Sequence, residues 1–205
     1  MKIQLALDRL TIAEAVTMAS AAAPYVDWIE VGTSLIKEFG IASVSELRRA
    51  FPKHIIVADM KTFDNAVYEM ELCFSAGANV ATVMGAAPKA TIAACKDVAD
   101  RFGGQIMVDL LATDRAKRDQ LQDIQDVTWC YHVSKDEQEL DGQTVRAIEY
   151  YRHPVGVQVA VAGGVTLDMI PSLKMEGVNV VVIGSAISKA ANPSTAAKEF
   201  YDAIH

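Results

Sequence analysis

Short apolar runs alternate with longer amphipathic or alanine-rich segments along the whole chain. The runs are apolar on both faces, which is typical of strands in a parallel sheet that is covered by helices. We predict eight strands, which lie within residues 3–8, 26–31, 54–64, 79–84, 105–110, 127–132, 157–161 and 178–183.

The segments between these strands have the features of helices. Thr11 precedes the first of them, and Glu14 follows three residues later, which is the spacing of a capping box. Glycine and proline residues mark the ends of several others. We predict helices at residues 13–22, 44–51, 65–76, 88–102, 114–123, 142–151 and 167–175, and from Pro193 to the C-terminus.

Eight regular strand–helix units predict a (β/α)8 barrel, in a single domain that spans residues 1–205. The length suffices for one large hydrophobic core but is too short for two ordinary domains. A doubly wound open sheet is the alternative. It is disfavoured because the first strand is not followed by the G-x-G-x-x-G motif of dinucleotide-binding folds.

Composition and charge exclude several classes of partner. The net charge is −7 and no basic block occurs, so we expect neither nucleic acid nor an anionic membrane as a partner. No apolar run approaches the roughly 20 residues that span a bilayer. Met1 leads directly into a strand, which predicts that no signal peptide is present. Cys73, Cys95 and Cys130 lack C-x-x-C spacing, as expected for reduced core thiols in a cytoplasmic protein.

Charged residues stand at the carboxyl ends of the predicted strands, where (β/α)8 barrels place their active sites. Asp59 and Lys61 alternate along the third strand and so share one face, whereas Asp64 lies just past it, where a loop can aim it elsewhere. Taken singly, each is explained by a solvated strand end. As a set they indicate a functional site; its members are Asp8, Glu30, Asp59, Lys61, Asp109 and His132.

The excess of acids over bases in this set predicts a bound cation, because like charges in a low-dielectric site repel each other. Carboxylates without a cysteine or a pair of histidines suit Mg2+, and we expect Glu30 and Asp59 to hold it. The alternative is that several acids are protonated or face water. Lys61 is predicted to stabilise negative charge on a substrate oxygen, and His132 to transfer a proton, unless it is a structural histidine.

Two glycine turns follow the last two predicted strands, Gly163-Gly164 and Gly184-Ser185. Phosphate-binding barrels bind phosphate at this position through backbone N–H groups. The alternative is two tight turns that need positive φ. We predict a phosphate site at these turns, to which the Ser185 hydroxyl and Lys189 could contribute.

Several motifs resemble those of the orotidine 5′-monophosphate decarboxylase suprafamily, and within it the 3-hexulose-6-phosphate synthases. The resemblance extends over essentially the whole chain. The matching segments are D-x-K-x-x-D at Asp59, Lys61 and Asp64, Q-L-A-L-D at 4–8, I-E-V-G-T at 29–33, V-D-L at 108–110, V-A-G-G-V at 161–165 and V-I-G-S-A-I at 182–187.

This resemblance implies an enzyme that adds formaldehyde to D-ribulose 5-phosphate through an enediolate, with Mg2+ as cofactor. It also implies a homodimer in which Asp64 completes the partner's site. We assign catalysis to Asp59, Lys61, Asp64 and His132, and substrate binding to Asp8, Asp109, Gly163, Gly164, Gly184 and Ser185.

Two other functions compete with this one. The related 3-keto-L-gulonate-6-phosphate decarboxylases share the implied fold, metal and enediolate chemistry. They typically carry Glu, Arg, Thr and Arg at the positions occupied here by Asp109, Val133, Ala162 and Ser185. The Ser134-Lys135 pair after the histidine also differs from the usual synthase loop. The second competitor is a sugar-phosphate-binding barrel without catalytic activity.

Overall fold

The computed structural model describes residues 1–142, Thr144 and residues 157–205. Eight parallel strands form a closed barrel in sequence order, and the last strand pairs with the first. The predicted (β/α)8 barrel is confirmed, and the open-sheet alternative is wrong. The strands are β1 Lys2–Leu7, β2 Trp28–Val31, β3 Ile55–Thr62, β4 Val80–Met84, β5 Gln105–Asp109, β6 Thr128–His132, β7 Gln158–Ala162 and β8 Val180–Ile183.

Helices cover the outside of the barrel, and the Thr11–Glu14 capping box is present at the start of the first. Short 3-10 turns at Ala23–Tyr25 and Leu167–Met169 supplement them. The helices are α1 Ile12–Ala22, α2 Thr33–Phe39, α3 Ala42–Ala50, α4 Ala66–Ser75, α5 Lys89–Phe102, α6 Arg115–Asp119, α7 Lys135–Asp141, α8 Ile170–Met175, α9 Ser185–Ser188 and α10 Pro193–Ile204.

The helix prediction differs from the structure in two ways. Three short helices, α2, α7 and α9, were not predicted, and α6 is shorter than the predicted 114–123. Ser134 and Glu137 form a capping box at the start of α7, so the sequence did contain a signal for that helix. The helix predicted at 142–151 falls almost entirely outside the described residues.

Two hydrophobic layers hold the barrel together. The larger lies between the strands and the helices. The smaller lies inside the barrel and has eight buried residues on β2 to β8. Five of them, one from each strand from β2 to β6, form what we call the floor: Trp28, Val57, Val80, Met107 and Cys130.

The described parts of the chain contain no helix with the length and apolar composition that crossing a membrane requires.

Candidate active site

A layer of polar side chains lies directly above the floor. On each strand from β2 to β6 it is the residue two positions after the floor residue, because alternate residues of a strand face the same side. Four of its five members are buried, and the histidine is partly exposed. We call this set the polar layer; it comprises Glu30, Asp59, Thr82, Asp109 and His132.

Lys61 joins two acids of the polar layer. Its Nζ donates to Oδ1 of Asp59 and to Oδ2 of Asp109, each at 2.9 Å. Burial lowers the pKa of the Lys61 ammonium, but the charges of Asp59 and Asp109 outweigh that effect and raise the pKa above its ordinary value. Lys61 is therefore a cation at neutral pH, as its predicted role requires.

Asp109 and His132 form a second pair. Burial raises the pKa of the Asp109 carboxyl, but the hydrogen bond and charge of His132, together with Lys61, outweigh it and hold the pKa well below its usual range. Nδ1 of His132 lies 2.9 Å from Oδ2 of this carboxylate. Because an ionised carboxylate only accepts, Nδ1 carries a proton, and when the ring is neutral its Nε2 has the lone pair that a base needs.

The strand that carries Asp59 and Lys61 is irregular. Residues 59–61 of β3 lie opposite the single residue Thr82 of β4, since Ala58 pairs with Ala81 and Thr62 with Val83. Lys61 has φ +51°, in the left-handed region. The prediction that Asp59 and Lys61 share one side is confirmed, but a bulge places them there and not regular alternation. We call Asp59, Met60 and Lys61 the β3 bulge.

Glu30 occupies the most acidic part of the layer. Burial, then the charges of Asp59 and Asp8, raise the pKa of its carboxyl to about 8. Its Oε2 accepts a hydrogen bond of 2.5 Å from Nε2 of Gln4, whose own Oε1 is buried without a partner. Without a cation, Glu30 is therefore largely protonated at neutral pH, as one of the sequence-based alternatives held.

Asp8 and Asp64 lie at the edge of the site. Asp8 is exposed, as that alternative also allowed, and accepts from the hydroxyl and backbone N–H of Ser34 at 2.8 and 3.2 Å. Asp64 is exposed in the loop after β3 and accepts from the N–H of Asn65 at 2.7 Å. As expected from its position past the strand, Asp64 makes no hydrogen bond to the polar layer within the described structure.

The two glycine turns differ in character. Gly163 and Gly164 have φ +103° and +71°, and a Cβ on either would clash, at 2.4 Å from Val133 O and 2.6 Å from Thr144 Cγ2. Their own backbone therefore requires glycine. Gly184 has φ −103°, and a Cβ there would meet nothing closer than Ala6 Cβ at 3.8 Å. Space therefore exists for a side chain at this second turn, but ψ −94° places its backbone outside the helical and extended regions.

Three polar residues that contact the acids were missed by the sequence reasoning. Thr33 Oγ1 donates to Asp59 Oδ2 at 2.5 Å, Thr82 Oγ1 donates to Asp59 Oδ1 at 2.9 Å, and Gln4 contacts Glu30. The sequence did contain a signal for Thr82. It lies two residues after Val80, which is the same spacing that separates each acid of the polar layer from its floor residue. Ser134 and Lys135 have other roles, as the cap of α7 and as a partner of Glu139 at 3.4 Å.

Comparison with known proteins identifies the family. Residues 1–200 match the model of the orotidine 5′-phosphate decarboxylase / HUMPS family. The chain belongs to this family. A relative in it, the 3-hexulose-6-phosphate synthase of Mycobacterium gastri, is 36% identical over 208 residues that cover all of both chains. The resemblance drawn from the sequence motifs is thus confirmed, and the chain is an enzyme of the orotidine 5′-phosphate decarboxylase / HUMPS family.

Solved structures of the family agree with the barrel. A crystal structure of 3-hexulose-6-phosphate synthase matches with a TM-score of 0.93 and 35% identity, covering 100% of both chains. A 3-keto-L-gulonate-6-phosphate decarboxylase from Vibrio cholerae matches with a TM-score of 0.85 and 33% identity, covering 99% of this chain and 96% of its own. The fold is therefore shared by both candidate activities, and the residues of the site must distinguish them.

Proposed function

We propose that this enzyme is a 3-hexulose-6-phosphate synthase, a carbon–carbon lyase that joins formaldehyde to D-ribulose 5-phosphate. The observation that carries the proposal is the connected group Asp59–Lys61–Asp109–His132. It places the Lys61 ammonium and Nδ1 of His132 on the same carboxylate oxygen, Oδ2 of Asp109, each at 2.9 Å. Abstraction of a proton beside a carbonyl needs this combination of a base and a cation for the developing oxyanion.

The donor set of the site fits Mg2+. Glu30 and Asp59 are oxygen donors in a buried position and raise each other's energy by charge repulsion, which a dication would relieve. Gln4 engages one oxygen of Glu30 and leaves the other without a described hydrogen-bond donor. The described residues contain no group of three His, Cys, Asp or Glu placed to hold a metal, so substrate oxygens would complete the coordination. When bound, Mg2+ would withdraw electron density from the ketone and acidify C1.

The chain's own residues then account for the bond that forms. Nε2 of His132 removes a proton from C1 of the sugar, and the ammonium of Lys61 stabilises the negative charge that develops on the adjacent oxygen. C1 attacks the carbon of formaldehyde, and the new hydroxyl takes up the proton from His132. Asp109 stays ionised throughout and keeps the ring in the tautomer that can accept. No atom is lost, so the sum of the two substrates is 3-hexulose 6-phosphate.

Phosphate binding is assigned to the turns after β7 and β8. A Cβ at Gly184 would meet nothing closer than 3.8 Å, so open space lies beside this turn, in which a phosphate oxygen could approach the backbone. Ser185 is exposed beside it, so its hydroxyl can donate to a phosphate oxygen. The β7 turn needs its glycines for its backbone shape, and that shape would also direct N–H groups at an anion.

The decarboxylase is the rival activity. By the resemblance described above it carries an arginine after the histidine, where this chain has Val133. Val133 packs against the outer core, and its backbone N–H donates to Ala162 O at 3.1 Å, so this position supplies no cation.

Formaldehyde-dependent consumption of D-ribulose 5-phosphate and release of carbon dioxide from 3-keto-L-gulonate 6-phosphate should be measured side by side. Fast decarboxylation with no detectable synthase reaction would refute the proposal. Tight ligand binding with neither reaction would favour a barrel without catalytic activity.

Metal binding is expected to depend on pH through Glu30. Its carboxyl must lose a proton to bind Mg2+, so the affinity should rise with pH by about tenfold per unit and level off above pH 8. Isothermal titration calorimetry from pH 6 to 9 in buffers of different ionisation enthalpy would measure affinity and proton release together. In Glu30→Gln the affinity should fall by about 10- to 100-fold and the proton release should disappear.

The same group sets a pH dependence of stability in the metal-free enzyme. Because the folded pKa of Glu30 lies above its ordinary 4.5, the folded state holds more protons between these values, and stability falls as pH rises towards 8. Mg2+ should reverse that fall in the wild type only. Glu46→Gln, at a partly exposed glutamate of α3 that pairs with Arg49, is the control. If Mg2+ stabilises Glu30→Gln as much as the wild type, Glu30 is not a ligand of the metal.

We also propose that the enzyme is a homodimer in which Asp64 reaches the partner's site. Large apolar side chains surround Asp64 on the surface: Phe63, Val67 and Tyr68 are 53%, 47% and 60% exposed. Such a cluster favours burial against a second copy.

The three cysteines are free and buried, which supports the proposed cytoplasmic location.

A mixing experiment tests the shared site. Subunits that carry Lys61→Ala and subunits that carry Asp64→Ala should each be inactive as homodimers. After denaturation and refolding together, each mixed dimer regains one intact site, so activity should return to about a quarter of the wild-type value. Replacing Asp64→Ala with Asp168→Ala, at an exposed acid of the 3-10 turn after β7, should give half of the wild-type activity without any complementation. Absence of complementation would show that Asp64 acts within its own subunit.

A further inference from the structure

Thr82 is the one residue of β4 that faces the β3 bulge. It is 3% exposed and belongs to the polar layer, yet it has no charge and no role in the chemistry proposed above. Its hydroxyl makes two hydrogen bonds to the bulge. Oγ1 accepts from the backbone N–H of Lys61 at 2.8 Å and donates to Oδ1 of Asp59 at 2.9 Å.

The hydrogen bond to the Lys61 N–H replaces a backbone hydrogen bond that a regular strand would provide. Where three residues of β3 lie opposite one of β4, the ladder cannot supply a backbone acceptor for every N–H of the longer strand. The N–H of Lys61 is bound by a side chain in its place. A buried N–H without a partner is unfavourable, so this hydroxyl stabilises the bulge against a regular, shorter path.

The bulge also holds an unfavourable backbone conformation. Lys61 has φ +51°, which brings the Cβ of an L-residue close to its own carbonyl. A conformation of this kind persists where surrounding contacts fix it, and here they include the hydrogen bond from Lys61 N–H to Thr82.

The same hydroxyl fixes the acid that Lys61 contacts. Oδ1 of Asp59 accepts from both Thr82 Oγ1 and Lys61 Nζ, each at 2.9 Å, and Thr33 holds Oδ2. Through its one hydroxyl oxygen, Thr82 thus contacts both the backbone N–H of Lys61 and the Asp59 carboxylate with which Lys61 pairs. The orientation of Asp59 and the path of Lys61 are therefore coupled.

We propose that Thr82 is a positioning residue, whose hydroxyl holds the β3 bulge in the conformation that presents Lys61 and Asp59 to the substrate. It acts through these two residues and touches neither substrate. The effect on turnover rests on the proposed synthase function; the effect on the bulge does not.

Three variants separate the hydroxyl from the shape of the side chain. Thr82→Val keeps the branched shape and loses both hydrogen bonds, whereas Thr82→Ser keeps the hydroxyl. Thr128→Val makes the same change at a buried threonine of β6 outside the polar layer. We expect kcat for the synthase reaction to fall by about 10- to 100-fold in Thr82→Val, with a smaller change in KM, because a misplacement of about 1 Å costs that much. Thr82→Ser should restore most of the activity, and Thr128→Val should match the wild type.

Hydrogen exchange of the Lys61 amide provides a second measurement that requires no activity. In Thr82→Val this N–H loses its acceptor and should exchange at least about tenfold faster, while it stays slow in Thr82→Ser and Thr128→Val. The inference is overturned if Thr82→Val keeps wild-type kcat and slow exchange, or if Thr82→Ser is as impaired as Thr82→Val. If the wild type has no synthase activity, the proposed function fails, and the exchange of the Lys61 amide alone decides whether Thr82 positions the bulge.

Discussion

Lys61→Ala is expected to lower kcat for the synthase reaction by about 10² to 10³-fold, because it removes the cation that stabilises the developing oxyanion. KM for D-ribulose 5-phosphate should change less, since the proposed phosphate site lies at the glycine turns after β7 and β8, on the other side of the barrel. The variant also leaves Asp59 and Asp109 without their shared partner, and both are buried. We therefore expect a loss of about 3 kcal/mol of stability at neutral pH, with the fold retained.

Steady-state kinetics and thermal melting followed by circular dichroism measure the two effects separately. Lys198→Ala is the matched control, because that lysine is exposed on α10 and pairs with Asp202 at 2.5 Å. It should leave both kcat and the melting temperature close to wild type. If Lys61→Ala melts lower but turns over at the wild-type rate, Lys61 is structural and its proposed role in stabilising the oxyanion is wrong.

His132→Asn should lower kcat by about 10² to 10⁴-fold, the usual contribution of a general base. Asparagine can still donate a hydrogen bond to Asp109 but has no lone pair in place of Nε2. The change therefore removes the base and keeps the contact that Asp109 makes with this position. The proposed binding of Mg2+ by Glu30 and Asp59 should be unaffected.

The proton transfer can be observed without formaldehyde. In D2O with Mg2+, the wild type should exchange one C1 hydrogen of D-ribulose 5-phosphate for deuterium, which proton NMR detects, and His132→Asn should not. His54→Asn is the control, because His54 lies at the opposite end of the barrel with Nε2 3.1 Å from Ala23 O. Exchange at the wild-type rate in His132→Asn would assign the base to another group.

Much of the barrel could be predicted from the sequence, because both physical signals it depends on are local. The β-strands are short apolar runs, and the long helices carry caps and amphipathic faces. The short helices were missed for different reasons. α2 begins at Gly32, which has no side chain to cap it, whereas the Ser134–Glu137 capping box before α7 was present and was not used.

The site was predictable at the level of charge but not of geometry. Acids, a lysine and a histidine at strand ends must meet in a closed barrel, so the contacts of Lys61 and His132 with Asp109 follow from the fold. The bulge in β3 does not, since no glycine or proline marks it and Lys61 adopts a left-handed φ that its side chain disfavours. Uncharged partners such as Thr82 and Gln4 were overlooked because threonine and glutamine in a strand carry no chemical signal of their own.

The apolar floor beneath the polar layer has a consequence for the movement of protons. Its members are apolar apart from the Cys130 thiol, whose pKa is raised well above its ordinary value by burial. The floor therefore offers His132 no side chain that accepts a proton at neutral pH. Under the proposed function, the proton taken from C1 must therefore leave His132 through the mouth of the barrel, to the nascent alcohol when formaldehyde is present and to solvent when it is absent.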